Sequence, residues 1–253
     1  MRPALLLLLA SLLIPAASAA ESRLNIFNWS EYIDPAVIKE FETRFACKVT
    51  MDLYDDAEKM LAKIQAGGVS SYDIVVPPDY MVPTMMKLKL LNRLRKENIP
   101  NFKHLNPKFI NREFDRGNQF SVPYMWGTLG ILIRPEPGFE IVDSWSLIFD
   151  PKNQPKRFVL IDSLRDCIGA ALKHQGQSMN TTSIAHLKSA MELLTATKPR
   201  SRGFSTSLAG ANQIRARTVT AAIVYNGDAS LAIAEDPTLR YILPKEGTEI
   251  WVD

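Results

Sequence analysis

Strand and helix patterns alternate along the chain from Leu24 onward, and this alternation constrains the fold more than any other feature. "RLNIFNW" is typical of a strand, and in "DPAVIKEFETRF" Asp34 is a favourable N-cap and Pro35 a favourable first helical residue. "CKVTMDLY" then alternates apolar and polar residues, and "DAEKMLAKIQAGG" has a helical period that stops at two glycines. "YDIVVPP" is a short apolar strand ended by prolines. Such alternation predicts a parallel, doubly wound α/β sheet.

The alternation breaks at "FSVPYMWGTLGILIRP", where two strand-like runs flank Pro123 and Gly127 with no helix between them. We expect the chain to cross over there into a second α/β unit. That unit contains the strand "RFVLID", the helix "LRDCIGAALKHQG", a helix that begins at Thr181 or Thr182, and the buried strand "TVTAAIVY". "LRYILPKEGTEIWV" is typical of a hairpin-like strand pair.

The first 19 residues have the features of a secretory signal peptide. One Arg precedes an uninterrupted apolar run, and small residues at Ala17 and Ala19 favour cleavage near Ala19. The alternative is a membrane anchor, but the apolar run is shorter than the about 20 residues that span a bilayer. We therefore expect an exported protein located in the periplasm.

Composition and motifs exclude several other functions. The chain has 30 Lys and Arg residues, and removal of Arg2 with the leader leaves 29 of them against 27 Asp and Glu residues, so the net charge is close to zero. The sequence also lacks the basic stripe with interleaved aromatic residues that would predict nucleic-acid binding. The sequence has no nucleophile elbow, phosphate loop or metal-ligand spacing, so we expect neither catalysis nor a cofactor. Cys47 and Cys167 are far apart, and we expect free, buried thiols.

Aromatic and acidic residues recur directly after the predicted strands, in "NWSEYI", "PPDY", "VYNGD" and the closing "WVD". Ligands of open α/β sheets bind beyond the carboxyl ends of strands, so these four segments are expected to converge. Aromatic faces attract cations and carboxylates bind ammonium groups. Because none of the four segments contains an Arg that would bind a ligand carboxylate, the pattern favours a polyamine over an amino acid.

Five collinear segments resemble the periplasmic polyamine-binding proteins of bacterial ABC importers: "FNWSEYIDPAVIKEFE", "YDIVVPPDYMV", "FSVPYMWGTLGI", "VYNGDASLA" and "LPKEGTEIWVD". The resemblance implies a two-lobe, type II-like periplasmic-binding-protein fold with a hinge of crossing strands. It implies a first lobe over residues 20–130, a second lobe over 131–248, and the start of a crossover back to the first lobe over 249–253. It also implies capture of putrescine or spermidine and delivery to an inner-membrane ABC permease, and we expect a monomer.

The resemblance also assigns ligand-binding roles by matching motifs. Aromatic and hydroxyl groups would line the first-lobe side, and acids would bind the amine ends. Tyr225 would be a stacking platform, and Asp253, in the segment that leads back to the first lobe, would be the central carboxylate. The residues in these positions are Trp29, Ser30, Tyr32, Asp79, Tyr80, Asp166, Tyr225, Asp228, Trp251 and Asp253.

The chain departs from the family pattern at several positions. Pro78 replaces a common Ser, Ser163 stands where spermidine-type members often have an acid, and Tyr225 replaces a Trp. Asp228 matches putrescine-type members and favours putrescine slightly. Family members continue for roughly another quarter of their length after Trp-x-Asp, so we expect the chain to be a fragment or truncated product with an incomplete first lobe. Two alternatives stay open: a polyamine-sensing signalling subunit, and a truncated paralogue that binds nothing.

Overall fold

The structure is a computed structural model that describes residues 22–253. The predicted leader over residues 1–19 and its cleavage site near Ala19 lie outside the described residues. Within residues 22–253, no helix combines the length and the apolarity needed to cross a membrane.

The first sheet has three parallel strands in the order β2-β1-β3. β1 pairs with β2 along its whole length, from Ser22 opposite Cys47 to Trp29 opposite Tyr54. Because the first strand lies in the middle, the two helical connections run to opposite edges of the sheet, which confirms the predicted doubly wound arrangement. The elements are β1 (Ser22–Trp29), α1 (Pro35–Phe45), β2 (Cys47–Tyr54), α2 (Ala57–Gln65), β3 (Ile74–Val75) and α3 (Val82–Lys87).

The predicted helix starts of this sheet are correct. The Asp34 carboxylate accepts a hydrogen bond of 2.8 Å from the backbone N–H of Ala36, and Pro35 is the first helical residue of α1. The Asp56 carboxylate accepts one of 2.7 Å from Lys59 at the start of α2. Each carboxylate satisfies a backbone N–H that the helix leaves without a partner.

The second sheet is mixed, with the order β6-β5-β7-β4-β8 and with β9 also paired to β4. β5 is parallel to β6 and β7, as predicted, whereas β4 is antiparallel to β7, β8 and β9. The strands are β4 (Trp126–Ile133), β5 (Phe158–Ile161), β6 (Phe204–Ser205), β7 (Ala221–Tyr225), β8 (Arg240–Ile242) and β9 (Ile250–Val252). The helices are α4 (Ser146–Phe149), α5 (Leu164–His174), α6 (Ile184–Thr197), α7 (Ser207–Arg215) and α8 (Asn226–Glu235).

Three local predictions are wrong. Residues 120–125 form no strand, so a single strand, β4, replaces the predicted pair around Pro123 and Gly127. β8 and β9 each pair with β4 instead of forming a hairpin with each other. The loop between them packs against residues 143–145, where the Trp145 indole N–H donates to Gly247 O at 2.9 Å, and this contact keeps the two strands apart. α6 begins after Ser183, not at Thr181 or Thr182, since Ser183 supplies the N-cap oxygen.

The two sheets differ in how well they are covered. Large side chains of the second core, including Trp145 and Phe158, are fully buried. In the first sheet, α1 has no buried residue, and Phe45 at its end is 57% exposed. An open, mainly apolar groove of about 800 Å³ borders β3, which among the described strands pairs only with β1. The first sheet is therefore the less protected part of the structure.

Both cysteines are free, as predicted. Cys167 is buried, and burial raises the pKa of its thiol to about 12. Cys47 is only partly buried, which corrects the expectation that both thiols are buried.

Candidate functional site

A row of aromatic rings connects the carboxyl end of β1 with the carboxyl ends of β9 and β7. The ring centres of Trp29 and Tyr32 are 6.3 Å apart, and those of Tyr32 and Trp251 are 6.2 Å apart. The row continues to Tyr225, whose ring meets Trp251 edge-on at 5.9 Å. Trp29 packs in turn on Tyr54 at 4.3 Å, and this contact fixes the indole against the end of β2. The strand ends thus converge as the sequence predicts.

Asp253 links this row to both sheets. Its backbone N–H donates to Met125 O at 2.9 Å, and its carbonyl accepts from Tyr124 N at 2.7 Å, which extends the β4–β9 ladder. Its carboxylate accepts a 2.6 Å hydrogen bond from the hydroxyl of Tyr32, which follows β1. Side chain and backbone of one residue therefore hold the two strand ends together.

The protonation of Asp253 is shifted by its surroundings. Burial raises the pKa of Asp253 to about 7, the charges of Asp79 and Asp166 add to the rise, and the Tyr32 hydrogen bond opposes it. Burial and the nearby Asp253 charge also raise the pKa of Tyr32 far above its usual range. Among residues 22–253, no Lys, Arg or His forms an ion pair with Asp253, so a bound cation would stabilise its ionised form.

A second acidic position lies at the other end of the row. The Tyr225 hydroxyl donates a hydrogen bond to Asp166, which is 4% exposed in the first turn of α5. The Ser207 hydroxyl accepts from the backbone N–H of Tyr225 at 2.8 Å and donates to Asp228, in the first turn of α8. Burial raises the pKa of Asp228, and Ser207 opposes the rise. Asp166, Tyr225 and Asp228 thus form one hydrogen-bonded group.

Asp79 and Tyr80 lie in a single 3₁₀ turn after β3. The guanidinium of Arg165 stands 4.8 Å from the centre of the Tyr80 ring, and its charge opposes the rise that burial causes in the pKa of Asp79. The four segments contain no Arg, but Arg165 from another part of the chain lies beside them. Arg165 belongs to α5, outside the four segments considered, but the fold brings it to the same edge.

Ser30 lies half-buried in the turn directly after β1. Of the ten predicted residues, it is the one that the described contacts do not tie to the others.

Glu249 was not predicted, although it shares the cavity beside Asp166. This cavity of about 510 Å³ is also lined by Asp79, Arg165 and Lys173. Burial raises the pKa of Glu249 well above its usual range, and Asp166 adds to the rise. A signal was present in the sequence, because Glu249, Trp251 and Asp253 follow a period of two and so share one face of an extended segment.

Among residues 22–253, no three His, Cys, Asp or Glu side chains are grouped so that they could hold a metal ion. The site offers a set of aromatic faces and carboxylates, with the Arg165 guanidinium and the Lys173 ammonium beside them. This arrangement suits a ligand that carries more than one positive charge on an apolar chain.

The chain is similar to a family of known transport proteins. Residues 36–253 match the family described as bacterial extracellular solute-binding protein. The Salmonella typhimurium spermidine/putrescine-binding periplasmic protein is 31% identical over 240 residues, covering 94% of this chain and 68% of the relative. The Pseudomonas aeruginosa putrescine-binding periplasmic protein SpuD is 34% identical over 273 residues, covering 98% and 72%.

Solved structures agree with the sequence comparison. The spermidine/putrescine ABC transporter substrate-binding protein PotD from Streptococcus pneumoniae has a TM-score of 0.75 at 30% identity, over 92% of this chain and 71% of that one. The Tp0655 (TpPotD) lipoprotein of Treponema pallidum has a TM-score of 0.82 at 26% identity, over 91% and 73%. The expected periplasmic-binding-protein fold is confirmed, and this chain spans about seven tenths of each of these relatives.

Proposed function

This chain belongs to the bacterial extracellular solute-binding proteins, and we propose that it captures a polyamine in the periplasm and delivers it to an inner-membrane ABC permease. Relatives that share about a third of its sequence are named for binding spermidine or putrescine. Proteins of this family bind solutes for transport, and we propose no catalytic activity for this chain.

The observation that carries the proposal is the pairing of aromatic rings with acids that outnumber the cations of the described site. Asp253 is fixed by the hydroxyl of Tyr32, the second ring of the row, and Asp166 by the hydroxyl of Tyr225, the last ring. A diammonium ligand lying along the row would place one charge at each acid and its methylenes against Trp251. Each charge-assisted hydrogen bond would contribute about 1.5–3 kcal/mol.

We further propose that the ten predicted residues line the ligand cleft and that the two sheets mark two lobes. The first lobe would extend from residue 20 to about 130, the second from 131 to 248, with residues 249–253 leading back toward the first. The ring row crosses from one sheet to the other, as expected for a ligand enclosed between lobes. Asp228, held by Ser207, favours the shorter diamine putrescine over spermidine.

Calorimetric titration of the purified mature chain with putrescine, spermidine, lysine and ornithine tests the proposal. We expect putrescine or spermidine to bind at least about tenfold more tightly than either amino acid, because the acids of the described site outnumber its two cations, Arg165 and Lys173. Tighter binding of lysine or ornithine would refute the polyamine assignment and would identify Arg165 as a carboxylate-binding group.

A further inference from the structure

A second cavity, here called the polar cavity, adjoins the ring row and carries charged groups that the row does not use. Its volume of about 510 Å³ is within the range of small-molecule sites. Two parts of its lining continue along the chain into the row. Arg165 precedes Asp166, which accepts from Tyr225, and Ile250 precedes Trp251. A ligand longer than the row would therefore extend into the polar cavity.

The Arg165 guanidinium is held in the polar cavity by two neutral partners. It lies 4.8 Å from the centre of the Tyr80 ring, and its Nη2 donates a hydrogen bond of 2.8 Å to Asn180 Oδ1. A guanidinium has several N–H donors in a planar fork, so these two contacts leave donors for a carboxylate. Arg165 is thus oriented without being neutralised by its partners.

Lys173 supplies a second cation from the same helix, α5. Its half-buried side chain lies against Gly247, where an added Cβ would be 3.3 Å from Lys173 Nζ. Among residues 22–253, no Asp or Glu forms an ion pair with Arg165 or with Lys173. The polar cavity therefore presents two cations that no direct contact with an acid neutralises.

Two acids line the same cavity from other elements. Asp79 comes from the turn after β3, and Glu249 from the segment that leads into β9. Within residues 22–253 neither of them is part of an ion pair. Two unpaired groups of each sign complement a ligand group that carries both charges, a carboxylate for Arg165 and Lys173 and an ammonium for the acids. An α-amino-acid head group has both charges on one carbon.

We propose that the polar cavity binds an α-amino-acid head group at one end of the ligand, so that the preferred ligand is a carboxylated polyamine. Carboxyspermidine, which is spermidine with a carboxylate on the carbon next to its terminal aminopropyl nitrogen, has this chemistry. The proposal rests on the polyamine function put forward above and narrows its ligand class. The diamine unit would lie along the row, with its ammonium groups at Asp253 and Asp166, and the head group would enter the polar cavity.

This arrangement ranks related ligands by their charges. Spermidine would place its third ammonium in the polar cavity but would leave Arg165 and Lys173 without a carboxylate. Lysine has a head group but only one further ammonium, so it would leave Asp253 without a cation. A carboxylated triamine satisfies the acids of the row and both cations of the polar cavity at once.

Calorimetric titration of the purified mature chain with spermidine and carboxyspermidine tests the proposal, because the two ligands differ by one carboxylate. We expect carboxyspermidine to bind about fivefold to tenfold more tightly, a range that allows for the solvent exposure of Arg165. The methyl ester of carboxyspermidine keeps the added bulk but not the negative charge, and it should bind no more tightly than spermidine.

Variants of the two cations test where the carboxylate binds. Arg165→Gln and Lys173→Gln should each reduce the preference for carboxyspermidine over spermidine, and the double variant should abolish it. Lys188→Gln removes a positive charge from an exposed position on α6 and should keep the wild-type preference. A purely structural defect would weaken both ligands equally and leave their ratio unchanged, and circular dichroism confirms that each variant is folded.

The outcomes separate the two proposals. Tight binding of spermidine and carboxyspermidine with equal affinity by the wild-type chain would overturn the head-group site and leave the polyamine function intact. An undiminished preference for carboxyspermidine in the folded double variant would also overturn the site. Absence of binding of either ligand, and of putrescine, by the folded wild-type chain would overturn both proposals.

Discussion

Replacing Asp253 with Asn should weaken polyamine binding and at the same time stabilise the ligand-free protein. Burial raises the pKa of Asp253 from 3.8 to about 7. Because folding raises the pKa of Asp253, its contribution to the free energy of unfolding is fully present below pH 3.8, where the acid is protonated in both states. That contribution is lost as the pH rises from 3.8 through 7. At pH 8 the ionised Asp253 therefore destabilises the fold.

The size of this destabilisation follows from the difference between a pKa of 3.8 in the unfolded chain and one of about 7 in the folded protein. Each unit corresponds to about 1.4 kcal/mol, so the upper value is about 4 kcal/mol at pH 8. Asn has the same shape, its amide oxygen can still accept from Tyr32, and it cannot ionise. The lost charge should reduce polyamine affinity by at least about 1.5 kcal/mol, or roughly tenfold.

Urea unfolding of wild type and Asp253→Asn at pH 4 and pH 8, without ligand, measures the first effect, and calorimetric titration with putrescine measures the second. The free energies of unfolding should nearly agree at pH 4 and differ by about 1 to 4 kcal/mol at pH 8 in favour of the variant. Asp55→Asn, at an exposed position, removes the same charge and should change neither quantity. A variant no more stable than wild type at pH 8, or one with unchanged affinity, would refute the reasoning.

Three further predictions concern other parts of the chain. Gly127→Ala should weaken polyamine binding at least about tenfold, because a Cβ at this position would overlap the Trp251 ring. Gly227→Ala is the control, since a Cβ there meets no atom within 4 Å. Equal calorimetric affinities of the two variants would contradict this prediction. Limited proteolysis of the mature chain should cut mainly before Pro123, because the first sheet is less covered; cuts spread evenly along the chain in mass spectra would show equal protection. Asp34→Ala should lower the free energy of unfolding by about 1 kcal/mol through loss of its N-cap bond, as measured in urea; a change no larger than that of Asp55→Ala would argue against the cap.

Local signals in the sequence predicted most elements correctly. Asp34 and Pro35 set the start of α1, and the alternating residues of "CKVTMDLY" correspond to β2 over its whole length. The convergence of Trp29 with Trp251 followed from a general rule about strand ends and is confirmed by the ring row. These features depend on neighbours in the chain or on the handedness common to α/β folds.

What the sequence did not predict depends on partners far along the chain. A period of two identifies β8 and β9 as strands but does not say that both pair with β4, since pairing depends on how the loop before Thr248 packs against Trp145. The sequence pattern does not indicate Arg165, because this residue lies in the first turn of α5. The strand before it, β5, does not end in one of the four aromatic and acidic segments. Glu249 is indicated by its spacing to Trp251, but its place in one cavity with Asp79 and Arg165 is a product of the fold.

The row of rings would also give the proposed ligand cleft an optical signal of its own. The chain has four tryptophans, of which Trp29 and Trp251 lie in the row, Trp145 is fully buried in the second core, and Trp126 is 50% exposed. A ligand charge placed along the row changes the electric field at two indoles and leaves the other two in their existing surroundings. Intrinsic emission therefore contains one pair of reporters and one pair of internal references, and occupancy can be followed in real time without any attached dye.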